Sequence, residues 1–158
     1  MSEYYKLRKD LSIEVNGKKL FKIEATKNIE EKGISKGYIG GYVESKKNLS
    51  GNAWVSGNAK VFGNAKVSDN ARVLDNARVF GDAEVFGDEI KARDDIYNIT
   101  SNSQYNITIT PNFIKIGCEF HKKTEWFKFN DESILEMDSQ KALDFWKKWK
   151  PILKAICE

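Results

Sequence analysis

Few residues in this chain are able to do chemistry. The single histidine, His121, stands three residues after Cys118 in Cys118-Glu119-Phe120-His121. That spacing suits two zinc ligands, but a tetrahedral site needs four, and only Cys157 and a carboxylate remain to complete it. As nucleophile and base the same pair lacks an orienting third group and an oxyanion donor. The plainer reading is a structural thiol beside a part-exposed imidazole, so no catalytic residue, metal or cofactor is assigned. Two cysteines are too few for a disulfide framework, and Cys118 and Cys157 are read as reduced thiols.

Two stretches could hold an anion. The first, Gly33 to Ser45, contains Gly40-Gly41-Tyr42, whose backbone N–H groups could cradle a phosphate. A phosphate loop normally leads into a helix N-terminus, and no helical pattern follows. Glycines that permit tight corners are the plainer reading. The second is the C-terminal segment, where Lys141, Lys147, Lys148, Lys150 and Lys154 interleave with Trp146 and Trp149. Nucleic acid would use lysines on phosphates and tryptophans on bases. These tryptophans, however, fall on an apolar helical stripe with Leu143, Leu153 and Ile156, so a solvated lysine face over core tryptophans is the simpler account. The net charge of +3, from 26 basic and 23 acidic residues, does not favour polyanion binding.

The element that must position everything else is Gly51 to Asp88, where the sequence repeats every six residues. Val55, Val61, Val67, Val73, Val79 and Val85 occupy one slot, with Ala53, Ala59, Ala65, Ala71, Ala77 and Ala83 two residues earlier. A helix returns every 3.6 residues and a strand every second one, so a period of six means short strands parted by sharp corners. Val43 and Leu49 share the phase. Gly-Asn or Asp-Asn precedes most of the alanines, and these residues tolerate left-handed backbone. Asn52, Asn58, Asn64, Asn70 and Asn76 are expected to form amide ladders along the corners.

The V-x-G-N-A-x pattern resembles the hexapeptide-repeat superfamily, over about residues 37–88. The resemblance implies a short left-handed parallel β-helix in which three hexads close one coil of about 18 residues. It also looks like small bacterial and prophage hexapeptide-repeat proteins, labelled transferase-like or polymer-forming. From it follow two expectations: a coenzyme A-dependent acyltransferase with a histidine base, or a phage-encoded accessory factor that blocks a host defence protein or sequesters a signalling nucleotide. The transferase is the weaker one, since His121 lies outside the repeat and no inserted loop carries a base.

With residues eighteen apart stacked, Lys60 falls beside Arg78, Phe62 beside Phe80, Trp54 beside Arg72, and Lys66 beside Glu84. Phe62, Leu74, Phe80, Phe86 and Trp54 then form an outward apolar set that asks for cover, either from the C-terminal segment or from another subunit. A nucleotide is to be sought near Gly40, Gly41 and Tyr42 or on the Lys60 and Arg78 face.

Three modules are expected. Residues 1–36 hold a β-hairpin turning at Asn16-Gly17, residues 37–92 the β-helix, and residues 93–158 a small α+β unit with a hairpin turning at Pro111-Asn112. Helices are expected at 124–129, 131–137 and from 139, with Asn130 or Asp131 as a cap and Pro151 as a kink. No apolar leader or bilayer-length apolar run is seen, so the protein is read as cytoplasmic and without a membrane partner. The functional expectation is a non-enzymatic, oligomerising scaffold or binding protein, a dimer or trimer with a protein partner, for which nucleic acid is the less favoured ligand.

Overall fold

The computed structural model describes residues 4–100 and 105–158. Residues 1–3 of the first expected module and residues 101–104 of the third lie outside the described residues. Strands β1 (Tyr5–Val15) and β2 (Lys18–Ala25) form an antiparallel hairpin. Asn16 (φ 51°) and Gly17 (φ 76°) supply the two left-handed residues that its tight turn requires. Strand β3 (Ile39–Val43) pairs antiparallel with β2.

The Gly51–Asp88 stretch then lays down strands of two or three residues: β4 (Trp54–Val55), β5 (Lys60–Val61), β6 (Lys66–Ser68), β7 (Arg72–Val73), β8 (Arg78–Val79) and β9 (Glu84–Phe86). Strand β10 (Glu89–Ile90) follows directly. Parallel ladders join residues eighteen apart: Trp54 with Arg72, Lys60 with Arg78, Lys66 with Glu84. Every inward valine from Val43 to Val85 is at most 1% exposed. Each such side chain contributes roughly 1.5–3 kcal/mol by burial.

These ladders do not make the left-handed β-helix that the repeat suggests. The short strands are shared out among separate sheets: a mixed five-stranded sheet in the order β1-β2-β3-β5-β8, a parallel sheet β10-β7-β4, and the pair β6-β9. Among the described residues no coil closes and no solenoid forms. The period of six fixes where corners and buried valines fall, but the sheets are defined by hydrogen-bonded partners, and the hairpin takes β3, β5 and β8 into its own mixed sheet. The architecture of the described residues is mainly β, with four sheets and a C-terminal helix.

The amide ladders are also thinner than expected. Asn64 donates to Asp82 at 3.1 Å and Asn52 donates to Glu31, while the stacking at the corners is largely backbone on backbone. Left-handed geometry falls on the residue before each Asn or Asp, as at Gly57 and Asp75.

The fourth sheet is antiparallel, β11 (Tyr97–Ile99), β12 (Ile107–Ile109), β13 (Phe113–Ile116) and β14 (Glu119–Lys122), followed by α1 (Lys123–Trp126) and α2 (Asp131–Cys157). The Asn130 side chain caps α2 by accepting from the Ser133 N–H at 2.8 Å. Helix α2 breaks at Asp138 (φ −159°, ψ 47°) and Ser139 (φ 60°, ψ −160°). The second pair of angles belongs to glycine territory and costs a serine on the order of 1–3 kcal/mol. Two apolar cores result, one of valines, alanines and Trp54, the other of Ile107, Ile114, Trp126, Trp146 and their neighbours.

Asp88, 4% exposed, ties the two cores together. It accepts from the Thr110 hydroxyl at 2.5 Å, the Asn112 N–H at 3.0 Å and the Asn112 amide at 2.7 Å. Lys115 pairs with Glu84 at 3.1 Å across the same seam. Among the described residues no helix is long and apolar enough to cross a membrane.

Candidate functional site

The mixed sheet aligns one row of side chains across all five strands: Arg8, Lys22, Tyr42, Lys60 and Arg78 are successive register partners. The neighbouring Val43, Val61 and Val79 point inward and are at most 1% exposed, so alternation turns Tyr42, Lys60 and Arg78 outward. Arg8 is neutralised by Asp10 and Glu24, at 2.6 and 2.7 Å. Lys22, Lys60 and Arg78 have no carboxylate partner among the described residues. Lys22 Nζ instead donates to the Gly40 carbonyl at 3.2 Å and Lys60 Nζ to the Asn58 carbonyl at 2.8 Å. Both ammoniums lie over the Tyr42 ring, 4.6 and 5.6 Å from its centroid.

Like charges placed opposite one another on paired strands destabilise a sheet. Burial first, and then the charges of Arg78, Arg93 and Lys22, hold the Lys60 ammonium below the ordinary lysine value. Arg93 therefore belongs to the same positive field, although it lies in the connector after β10.

Beyond Arg78 the row opens into a hollow of about 360 Å³ lined by Arg78, Phe80, Arg93, Ile96 and Asn98, among others. Two of its polar atoms are buried without a partner among the described residues: Arg78 Nε, a donor, and Asn98 Oδ1, an acceptor. Each such atom carries a desolvation penalty of about 1–3 kcal/mol. Phe80, 53% exposed, forms one wall and stacks on Phe62 at 5.3 Å with the rings 10° from parallel. Cationic donors, an unmet acceptor and an open aromatic face are the elements by which a phosphorylated aromatic ligand is held.

The other expected site residues take different places. Gly40 and Gly41 are buried within β3. A Cβ on Gly40 would stand 2.4 Å from the Val55 carbonyl oxygen, and one on Gly41 2.8 Å from that of Ala59. Their role here is close packing, and they do not line the hollow. Trp54 is 0% exposed and packs in the valine core beside Gly40 and Tyr38. Phe86 is covered by the chain itself, edge-on to Phe120 at 5.0 Å. Phe62 is buried behind Phe80, and Leu74 is half-buried. Of the apolar set, Phe80 is the one left open to solvent.

His121 bonds Glu119 at 2.9 Å and meets Trp126 and Phe129 edge-on, in a sheet separate from the cationic row. Cys118 is exposed and Cys157 half-buried, both as free thiols. No group of three or more histidine, cysteine or acidic side chains could hold a metal among the described residues. Trp146 lies in the second core, Lys150 sits 5.9 Å over its ring, and Lys147 pairs with Asp131.

Four residues of the site escaped the sequence reading: Lys22, Arg93, Ile96 and Asn98. Lys22 faces Tyr42 only because the hairpin continues the sheet, and Arg93 is masked in sequence by Asp94 and Asp95. Compared with models of protein families and with curated proteins, the chain matches none. Together with the separate sheets, this removes the support for membership of the hexapeptide-repeat superfamily.

Proposed function

We propose that this chain is a non-enzymatic binding protein that takes a phosphorylated aromatic small molecule, of the nucleotide class, on the Lys22–Tyr42–Lys60–Arg78 row and in the hollow at its end. The observation that carries this reading is the buried Nε of Arg78, without a partner among the described residues, set in a row of cations that likewise have no carboxylate partner among them. An anion there would satisfy the guanidinium, relieve the repulsion between Lys60 and Arg78, and replace lost water with charge-assisted hydrogen bonds. Phe80 offers its face to a base, and Asn98 Oδ1 offers an acceptor to an exocyclic amino group.

His121 lies in a sheet separate from the cationic row and does not line the hollow, which favours binding over acyl transfer at this site. The viral accessory role was drawn from the hexapeptide-repeat resemblance alone, with no other observation behind it. One observation favours a second reading, self-association: Phe80 is half-exposed beside apolar Ile96 at the lip of the same hollow.

Calorimetric titration with a mononucleotide, a cyclic dinucleotide and pyrophosphate separates these readings when paired with mass measurement in solution. The expected result is saturable binding that weakens with salt and falls roughly 10–100-fold in Arg78→Ala or Arg93→Ala. Failure of all three probes to bind at about 1 mM, or unchanged affinity in both variants, would overturn the proposal. A mass above the monomer that drops in Phe80→Ser supports the second reading.

A further inference from the structure

A second cavity, of about 280 Å³, lies in the C-terminal core where α2 breaks, with Trp126 and Ile116 on one side and residues of both arms of the helix on the other. An engineered cavity of about 150 Å³ accommodates benzene, so this one has room for one or two rings and a short arm. Its walls carry Tyr105, Trp126, Phe145 and Trp146. Both of its charged side chains, Glu119 and Asp138, are acidic, and no lysine, arginine or histidine lines it among the described residues.

We infer that this cavity is a binding site for a small aromatic molecule bearing a protonated amine. Trp126 Nε1 is spent on the Ile114 carbonyl at 2.7 Å, and the Tyr105 hydroxyl donates to Asp138 Oδ2. Asp138 Oδ1 retains its accepting capacity at the wall, with no hydrogen bond to a described residue. An ammonium group supplies both the donor and the charge that this wall lacks. The aromatic walls favour the same charge, because the face of a ring attracts a cation. Two lysines outside the wall show that attraction already, Lys141 at 5.5 Å over Tyr105 and Lys150 at 5.9 Å over Trp146.

The helix break is what makes the cavity possible. Met137 and Asp138 end one arm, Ala142, Phe145 and Trp146 belong to the other, and Asp138 is held at the rim by Tyr105. An unbroken helix would carry Asp138 and Ala142 on one straight face, four residues apart. The site shares no residue with the cationic hollow and has the opposite charge, so it stands independently of the nucleotide reading.

The test is titration of the full chain with phenethylamine, phenylacetate and benzyl alcohol, which present one ring with a positive, negative or neutral arm. Tryptophan emission reports binding, since two of the four tryptophans line the cavity. The expected Kd for phenethylamine is on the order of 1 mM, as befits a fragment of its size, with phenylacetate at least about 10-fold weaker. Asp138→Asn should weaken phenethylamine about 10-fold and leave benzyl alcohol unchanged, and Glu119→Gln gives the same comparison through a carboxylate that bonds His121 and leaves the Tyr105 contact intact. Ala142→Leu should displace all three probes while a circular-dichroism melt shows the fold intact. Equal affinity for amine and carboxylate, indifference to both carboxylate substitutions, or no binding at about 10 mM overturns the inference.

Discussion

Arg78→Met is the substitution on which the cationic-row argument can be staked. In the unliganded protein Arg78 carries two penalties, a buried Nε without a partner and a like charge at its register neighbour Lys60. The first is worth about 1–3 kcal/mol. For the second, Coulomb's law at roughly 6 Å and an effective dielectric of about 40–80 gives about 0.7–1.4 kcal/mol. Favourable cross-strand pairs, opposite charges included, are worth about 0.2–1 kcal/mol, and like charges directly opposite act in the reverse sense. Allowing for solvent around the half-buried Lys60, we take about 0.5 kcal/mol.

Methionine keeps most of the apolar stem, so Arg78→Met should stabilise the ligand-free protein by about 1–2 kcal/mol, or roughly 2–8 °C in Tm for a chain of this size. Lys60→Met loses its cation–π contact with Tyr42 as well as the repulsion, so its net effect should be near zero. Urea unfolding of the wild type, both single variants and the double variant then isolates the repulsive coupling of about 0.5 kcal/mol. The coupling should grow at about 10 mM salt and vanish near 1 M, where the screening length falls to about 3 Å. The pH dependence has a definite sign. The Lys60 pKa lies below the ordinary 10.5, so the unfolded chain holds more protons in the window beneath that value. Wild-type stability should therefore rise with pH there relative to Lys60→Met. If Arg78→Met destabilises the protein by more than about 1 kcal/mol, or the coupling is attractive, Arg78 is a structural residue and the binding argument fails.

Asp88→Ala removes three hydrogen bonds from a buried carboxylate, and chemical denaturation should show a loss of about 2–4 kcal/mol, with a loss under about 0.5 kcal/mol contradicting its role as the tie between the cores. Gly40→Ala drives a methyl group against the Val55 carbonyl oxygen and Ile23, so it should cost about 3 kcal/mol or prevent folding, as measured by melting temperature and soluble yield. Burial, and then the hydrogen bond to Asp138, push the Tyr105 hydroxyl up from 10.0 to about 12. That contribution is intact below pH 10 and is lost as pH rises through 12, so wild type should lose more stability than Tyr105→Phe across this window in urea melts, with Tyr5, also raised to about 12 by burial, contributing equally to both.

Much of the local structure could be read from the chain. Asn16-Gly17 and Pro111-Asn112 make their turns, Asn130 caps its helix, and the valine slots are buried. In each case the cause is local: a backbone angle, a cap, an alternation. What failed was the step from period to closure. Strands of two residues do not specify their sheet, and the antiparallel hairpin on one ladder produced a mixed sheet that no repeat encodes. Strand β14 was missed because Glu119-Phe120-His121-Lys122 has weak alternation and gains its place from pairing with β13. Lys60 and Arg78 were found because eighteen-residue spacing pairs them, whereas Lys22 and Asn98 come from distant parts of the chain and only the fold brings them in. Trp54, expected on the outside, is enclosed because Gly40 beside it lets β3 approach closely.

The brevity of the strands bears on how the molecule breathes. A long strand frays from its ends, and its central amides open last. A strand of two residues has no centre, and β4, β5, β7 and β8 each have only two. Each carries a valine sealed in the common core, so releasing one strand exposes that core to water. Hydrogen exchange across Trp54 to Val79 should therefore take place in one joint opening event, with similar protection at every paired amide, rather than as a gradient along the chain.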